Sequence, residues 1–230
     1  MIRTVLLDAD DTLFDFKRSE SVAIAETLRR FGVEPTEKTV ARYSEINDGY
    51  WKKLERGEVL RSELKERRFA DLFGELGVPC DAKKVADCYG ELLAQGHFFI
   101  DGAEQLLEDL YGRYDLYIVS NGYAKTQQGR LASAKAEHYF KDVFISQQIG
   151  ADKPDPAFFA ACFSRIPNFR REETVIVGDS LTSDILGGIR AGIKTVWFRH
   201  RDTQKPIDGI TPDCEIHYLS ELLPWIEGQE

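Results

Sequence analysis

Residues 5–14, VLLDADDTLF, place three carboxylates within four positions directly after an apolar run. Val5, Leu6 and Leu7 form the short unbroken apolar stretch expected of a strand buried on both faces of a parallel sheet. Asp8, Asp10 and Asp11 then stand at its carboxyl end. Carboxylates this close resist ionising beside one another. A bound cation would relieve that repulsion, and other parts of the chain must complete such a site.

Similar apolar runs occur at residues 116–119, 143–145, 175–177 and 196–198. From 116 onward they alternate with helical patterns, which predicts an α/β fold with a doubly wound, Rossmann-like parallel sheet. Ala103, Leu106, Leu107 and Leu110 follow the i, i+3, i+4, i+7 spacing of one connecting helix. Asp155-Pro156 reads as the N-cap and first position of another, and Gly192 as the stop of a third.

Residues 16–97 break this rhythm. They contain no convincing strand and read as four helices. Gly32-Val33-Glu34-Pro35 separates two of them, and Phe69, Leu72, Phe73 and Leu76 form one apolar stripe that ends at Gly77. This segment is far longer than a crossover needs. The predicted organisation is a core of residues 1–15 and 98–230 with an inserted α-helical cap over 16–97. A larger helical layer on a single α/β unit is the alternative.

At 230 residues the chain can bury a substantial core. A net charge of −9 argues against nucleic-acid polymers and basic membrane anchoring. No apolar run is long enough to span a bilayer, and an N-terminus leading straight into a strand is not the pattern of a signal peptide. Cys80, Cys88, Cys162 and Cys214 lack paired spacing and read as reduced structural thiols. The expectation is a cytoplasmic protein, with monomer and homodimer both open.

Ligands of open parallel sheets bind beyond the carboxyl ends of the strands. The polar residues there are Asp8, Asp10 and Asp11, then Ser120-Asn121-Gly122, then Gly178-Asp179-Ser180 with Asp184 shortly after, and Lys153 in GADKPDP. Asp8 and Asp179 can supply the hard oxygens that Mg²⁺ prefers. A carboxylate beside such an ion can attack phosphorus, since the ion and a lysine offset the charge of the approaching dianion. Asp10, two residues from Asp8, can protonate a leaving oxygen and later deprotonate water. Ser120 and the N–H groups of Asn121 and Gly122 offer donors to phosphoryl oxygens, and Lys153 a point charge. Each residue also has a plainer reading. Asp11 can bond its turn, Asp184 can be an ordinary first-turn residue, Ser-Asn-Gly can be only a turn, and a lysine is usually solvated.

DADDT, SNG, Lys153-Pro154 and GDSLTSD resemble, in order and spacing, the four motifs of haloacid dehalogenase-superfamily phosphohydrolases, and residues 16–97 are similar to that superfamily's C1-type cap. The resemblance implies an aspartyl-phosphate formed on Asp8, with Asp10 as general acid and base and Ser120 and Lys153 binding phosphate. It implies Mg²⁺ held by Asp8, the Asp10 carbonyl and Asp179, with Asp184 acting indirectly or through water. Many members carry Gly where this chain has Asp11. An acidic residue there, with Asn47, Trp51, the aromatic after Gly122 and SDILGGIRAGIKTVW, is similar to a bacterial nucleotidase subgroup preferring pyrimidine nucleoside monophosphates.

The expected activity is therefore Mg²⁺-dependent hydrolysis of a small phosphate monoester, most simply a nucleoside 5′-monophosphate. A 2-haloacid dehalogenase, a phosphomutase and a receiver-like signalling module are the alternatives. Dehalogenation is disfavoured because Asp10 and Asp179 would add uncompensated negative charge. A receiver would carry its phosphoacceptor aspartate where Ser120 stands. Phe14 and Phe16 flank the hinge, and Tyr50 and Trp51 share a cap helix. Phe14 and Trp51 are the proposed substrate contacts, with cap core as the plainer role for Trp51. Lys52, Lys53 and Arg56 read as a solvated face.

Overall fold

A computed structural model describes residues 1–201 and 204–229. Six parallel strands form one sheet in the order β3-β2-β1-β4-β5-β6. These are β1 (Thr4–Leu7), β2 (Asp115–Ser120), β3 (Asp142–Ile145), β4 (Thr174–Gly178), β5 (Lys194–Phe198) and β6 (Cys214–Ile216). β1 lies at the centre, with Leu7 opposite Ile118 of β2 on one side and Val177 of β4 on the other. The strand order reverses there, which opens a crevice beyond the carboxyl ends.

Alternation along the strands explains why both faces are apolar. Val5, Leu7, Ile118, Val175 and Val177 join one core cluster, whereas Leu6, Tyr117, Val119 and Ile176 join another on the opposite face. Helices α5 (Ala103–Leu110) and α10 (Leu222–Glu227) contribute to the first cluster, and α8 (Pro156–Arg165) to the second. All four predicted apolar positions of α5 are buried. The Asp155 carboxylate caps α8, and Gly192 ends α9 (Leu186–Ala191) in the left-handed conformation. α6 (Ala124–Ser133) follows β2, and the short α7 (Ser146–Ile149) follows β3.

Between β1 and β2 lie α1 (Phe16–Arg30), α2 (Glu37–Glu55), α3 (Arg61–Glu75) and α4 (Ala82–Leu93). Asp15, Thr36 and Asp81 cap α1, α2 and α4 through their side-chain oxygens, each worth about 1 kcal/mol. The inserted helices bury their own cluster, centred on Tyr43, Phe69 and Tyr89 with ring centroids 5.3 Å apart. Its polar heart is a chain in which Arg68 Nη1 donates to Asn47 Oδ1, and Asn47 Nδ2 to Glu20 Oε1, both at 2.6 Å. Asn47 is therefore an internal strut between three cap helices.

Two details depart from expectation. Leu76 is 37% exposed, so the stripe on α3 closes at Phe73. The edge strand β6 escaped notice because it is three residues long and only Ile216 of it is buried. The four cysteines are free thiols. No helix among the described residues is long and apolar enough to cross a membrane.

Candidate active site

The Asp8 amide continues the sheet by donating to the Val177 carbonyl at 2.9 Å, which fixes the side chain at the crevice floor. Lys153 Nζ lies 2.7 Å from Asp8 Oδ1, 2.7 Å from Asp184 Oδ1 and 2.6 Å from the Val119 carbonyl. Its three donors are thus spent inside the site, and it offers fixed charge beside Asp8 with no spare N–H. Asp184 sits on a π-helical turn, Leu181–Ile185, and accepts from the Ser180 amide at 3.1 Å. A methyl group on Gly178 would overlap the Asp184 carboxylate, so glycine there makes room for it.

Asp8, Asp179 and Asp184 can bring one oxygen each within 4.8 Å of one another. One lysine leaves that nest net negative. Burial, reinforced by Asp184 and Asp10 and opposed by Lys153, lifts Asp8 from its ordinary 3.8 to about 7. Burial also pushes Asp179 well above the usual carboxylate range, with Asp8 and Asp184 adding to it. Three hard oxygens under mutual repulsion in a mostly buried pocket fit a divalent cation such as Mg²⁺. Asp184 stands within this set as a potential direct ligand, where the resemblance implied an indirect role.

The supporting residues come from all sides. Thr12 Oγ1 donates to Asp8 Oδ2 at 3.2 Å and accepts from the Asp179 amide at 3.1 Å, tying the first and fourth motifs together. The Asn121 side chain bonds the Lys153 backbone twice, at 2.8 Å each, and so holds the lysine loop against β2. Ser120 is 1% exposed at the end of β2. Asp10 belongs to a different set of contacts. Its carboxylate is bound by Gln127 and Arg130 of α6.

Asp11 adopts φ = 59°, a left-handed conformation that Gly accepts freely and Asp better than most residues. Its carboxylate accepts from the Phe16 amide at 3.1 Å and from Arg201 at 2.6 Å. Turn bonding, its plainer reading, is what the structure displays. Burial raises Asp11 to about 6, against the pull of Arg201.

A cleft of about 870 Å³ separates the strand ends from the helical segment. Asp8, Ser120, Lys153 and Asp179 line one wall, and Phe16, Trp51 and Arg61 the other. Arg61 bridges the two. It donates to Ser146 Oγ at 2.9 Å, pairs with Asp152, and reaches the carbonyls of Asn121 and Gly122 at 3.3 and 3.5 Å. Trp51 is half-buried, with Tyr123 edge-on at 6.1 Å and the Arg61 guanidinium 5.5 Å from its ring. Phe14 corrects the expectation of a substrate contact. It is 1% exposed, stacks on Phe99 at 5.0 Å and does not line the cleft. Its aromatic surface is consumed by hinge packing. Lys52, Lys53 and Arg56 are exposed as read.

Sequence reading missed Thr12, Arg61, Gln127 and Arg130. Thr12 lies inside DADDT, so a hydroxyl one turn past Asp8 was a usable signal. Gln127 and Arg130 are 117 and 120 positions from Asp10, and no local pattern links them.

A parallel α/β core that gathers carboxylates and one lysine at its strand ends, beneath an inserted helical segment, defines a class of hydrolases. Residues 2–192 match the haloacid dehalogenase-like hydrolase model, and the chain belongs to that family. The HAD-hydrolase YfnB of Bacillus subtilis is 40% identical over 220 residues, 96% of this chain and 93% of that protein. A crystal structure of YfnB bound to magnesium superposes with a TM-score of 0.93 at 39% identity, covering 98% of each chain. The pyrimidine 5′-nucleotidase PynA of Streptococcus pneumoniae is 37% identical over 224 residues, 97% of this chain and 94% of that protein. The L-2-haloacid dehalogenase of Xanthobacter autotrophicus shares the fold over the full length of both chains, with a TM-score of 0.80 at 19% identity.

Proposed function

We propose that this chain is a Mg²⁺-dependent phosphatase of small phosphate monoesters, with a nucleoside 5′-monophosphate, preferentially a pyrimidine one, as substrate. The observation that carries the reading is the buried nest of Asp8, Asp179 and Asp184 with Lys153 bonded to two of its members. The likeness to PynA supports the substrate class, and the magnesium bound to YfnB supports the ion.

Asp8, Asp179 and Asp184, with the Asp10 carbonyl, would hold the ion. When bound it supplies positive charge against the phosphoryl oxygens and the nucleophile. The residues then have distinct tasks. An Asp8 oxygen bonds to phosphorus as the ester P–O bond breaks, and the leaving oxygen takes a proton from Asp10. Lys153 aims Asp8 and opposes its protonation, while Ser120 and the neighbouring amides donate to phosphoryl oxygens. In the second half, water attacks phosphorus, Asp10 takes its proton, and the Asp8 carboxylate is released with inorganic phosphate. The cap segment excludes water and touches the leaving nucleoside, with Trp51 beside the base. Three clustered carboxylates suit this cation-assisted transfer better than halide displacement from carbon, where their charge would go uncompensated.

The test is phosphate release across nucleoside 5′-monophosphates and sugar phosphates, with Mg²⁺ and with chelator. Release should require Mg²⁺ and be greatest on pyrimidine nucleotides. Asp8→Asn should leave less than about a hundredth of the rate, because an amide is a poor nucleophile. Chelator-insensitive release, or an active Asp8→Asn protein, would refute the mechanism. A best substrate among sugar phosphates would refute the nucleotidase reading alone.

A further inference from the structure

Two buried side chains of α6 grip Asp10. Gln127 Nε2 donates to Asp10 Oδ2 at 2.6 Å, and Arg130 Nη1 donates to Asp10 Oδ1. The donors are three residues apart, one helical turn, so they reach the two oxygens side by side. Gln127 is 2% and Arg130 0% exposed. A buried guanidinium needs acceptors, and Asp10 is the one acidic partner Arg130 has among the described residues.

Each donor also makes a second connection. Gln127 Nε2 lies 2.9 Å from Ser120 Oγ, so one amide spans the acid–base candidate and the phosphate-binding hydroxyl. Space for it depends on Gly122, where a Cβ would come within 2.6 Å of that nitrogen. Arg130 Nε donates to the Gly96 carbonyl at 3.2 Å, and its guanidinium lies 4.9 Å from the Phe14 ring centroid. Phe14 and Gly96 lie on the two chain crossings, the first leading into the helical segment and the second leading out. Asp10, Gln127 and Arg130 also line a side chamber of about 400 Å³ between that segment and the core.

From these contacts we infer that Gln127 and Arg130 are positioning residues for Asp10, which they orient toward the leaving oxygen when both crossings are seated against the core. Gln127 sets the separation between proton transfer and phosphate binding. Arg130 ties the aim of Asp10 to the seating of the cap. This rests on the reading of Asp10 as the proton donor and acceptor. Fixed orientation of a reacting group is a large part of catalytic rate.

The test is a double-mutant cycle in the full chain with Mg²⁺, assayed on a nucleoside 5′-monophosphate and on p-nitrophenyl phosphate. Gln127→Leu and Arg130→Lys should each lower kcat on the nucleotide by about tenfold or more and change KM by less than about threefold. The loss should be smaller on p-nitrophenyl phosphate, whose leaving group needs less protonation. Lysine keeps the charge but cannot fork between Asp10 and Gly96. In an Asp10→Asn background, neither substitution should cost more than about a further twofold, because the group they serve is already disabled. Equal losses with and without Asp10, in variants of unchanged melting temperature, would make the pair core packing and overturn the inference. If Arg130→Lys does not fold, Gln127→Leu decides the matter by the same criteria. An Asp10→Asn protein with full turnover would instead remove the acid–base reading, an outcome distinct from additive losses.

Discussion

Asp8 and Asp179 carry an energetic burden that a cation should lift. The folded chain binds a proton on Asp8 up to about pH 7, whereas the unfolded chain releases it near the ordinary value of 3.8. Between those values the folded state holds more protons, so this group makes the metal-free protein less stable as pH rises. Asp179 acts in the same direction. Mg²⁺ competes with those protons, so its stabilisation should be small at pH 5 and large at pH 8. At a hundred times Kd it amounts to about 2.7 kcal/mol, roughly 5–10 °C in melting temperature for a chain of this size. Thermal melts at both pH values check this, and Asp179→Asn should reduce the gain. Equal gains at pH 5 and pH 8 would place the ion elsewhere.

β4 and the π-helical turn after it bring Asp184 onto Lys153 through the missing side chain of Gly178. Gly178→Ala should displace that carboxylate. The expected cost is about 1–3 kcal/mol in urea unfolding, as for overpacking elsewhere, together with weakened Mg²⁺ dependence. A variant with wild-type metal response would show that the turn can relax. α3 presents a different case. Arg61, its first residue, spans the cleft to Ser146, Asp152 and the Asn121–Gly122 carbonyls, and Tyr123 Oη donates to the Arg61 carbonyl at 3.1 Å. Arg61→Ala should alter global stability by about 1 kcal/mol or less, since the ion pair is partly exposed. It should nevertheless change kcat and KM together on nucleotides by loosening closure. Steady-state kinetics with limited proteolysis of the cap checks this; unchanged kinetics would make Arg61 a passive surface bridge.

The helical segment has its own apolar cluster, and the carboxylate nest lies wholly on the sheet side of the cleft. That separation makes removal of residues 18–96 informative. A chain joined there by a short flexible linker should keep weak activity on p-nitrophenyl phosphate and lose discrimination among nucleotides, because on the proposed reading the cap supplies the remote binding energy. Trp51→Ala should be a milder form of the same change. Base stacking of roughly 1–3 kcal/mol predicts about a five- to hundred-fold fall in kcat/KM on nucleotides and little change on p-nitrophenyl phosphate. Equal losses on both would assign Trp51 to cap packing beside Tyr123. An unchanged preference in the capless chain would move specificity to the core.

Periodicity and strand-end chemistry were local properties and could be read from the order of residues alone. The unbroken apolar run of Val5, Leu6 and Leu7, the helical rhythm of 103–110 and the carboxylates after β1 and β4 are short-range patterns visible in the order of residues. They determined the α/β core, the inserted helical segment and the candidates Asp8, Asp10, Ser120, Lys153 and Asp179. Folding decided who touches whom. Lys153 spends its donors on Asp8, Asp184 and Val119; Phe14 disappears into the hinge; Asn47 becomes a strut. Arg130 reaches Asp10 from 120 positions away. Such pairings depend on how helices pack across a cleft, and side-chain partners brought together by packing leave no spacing in the chain to mark them.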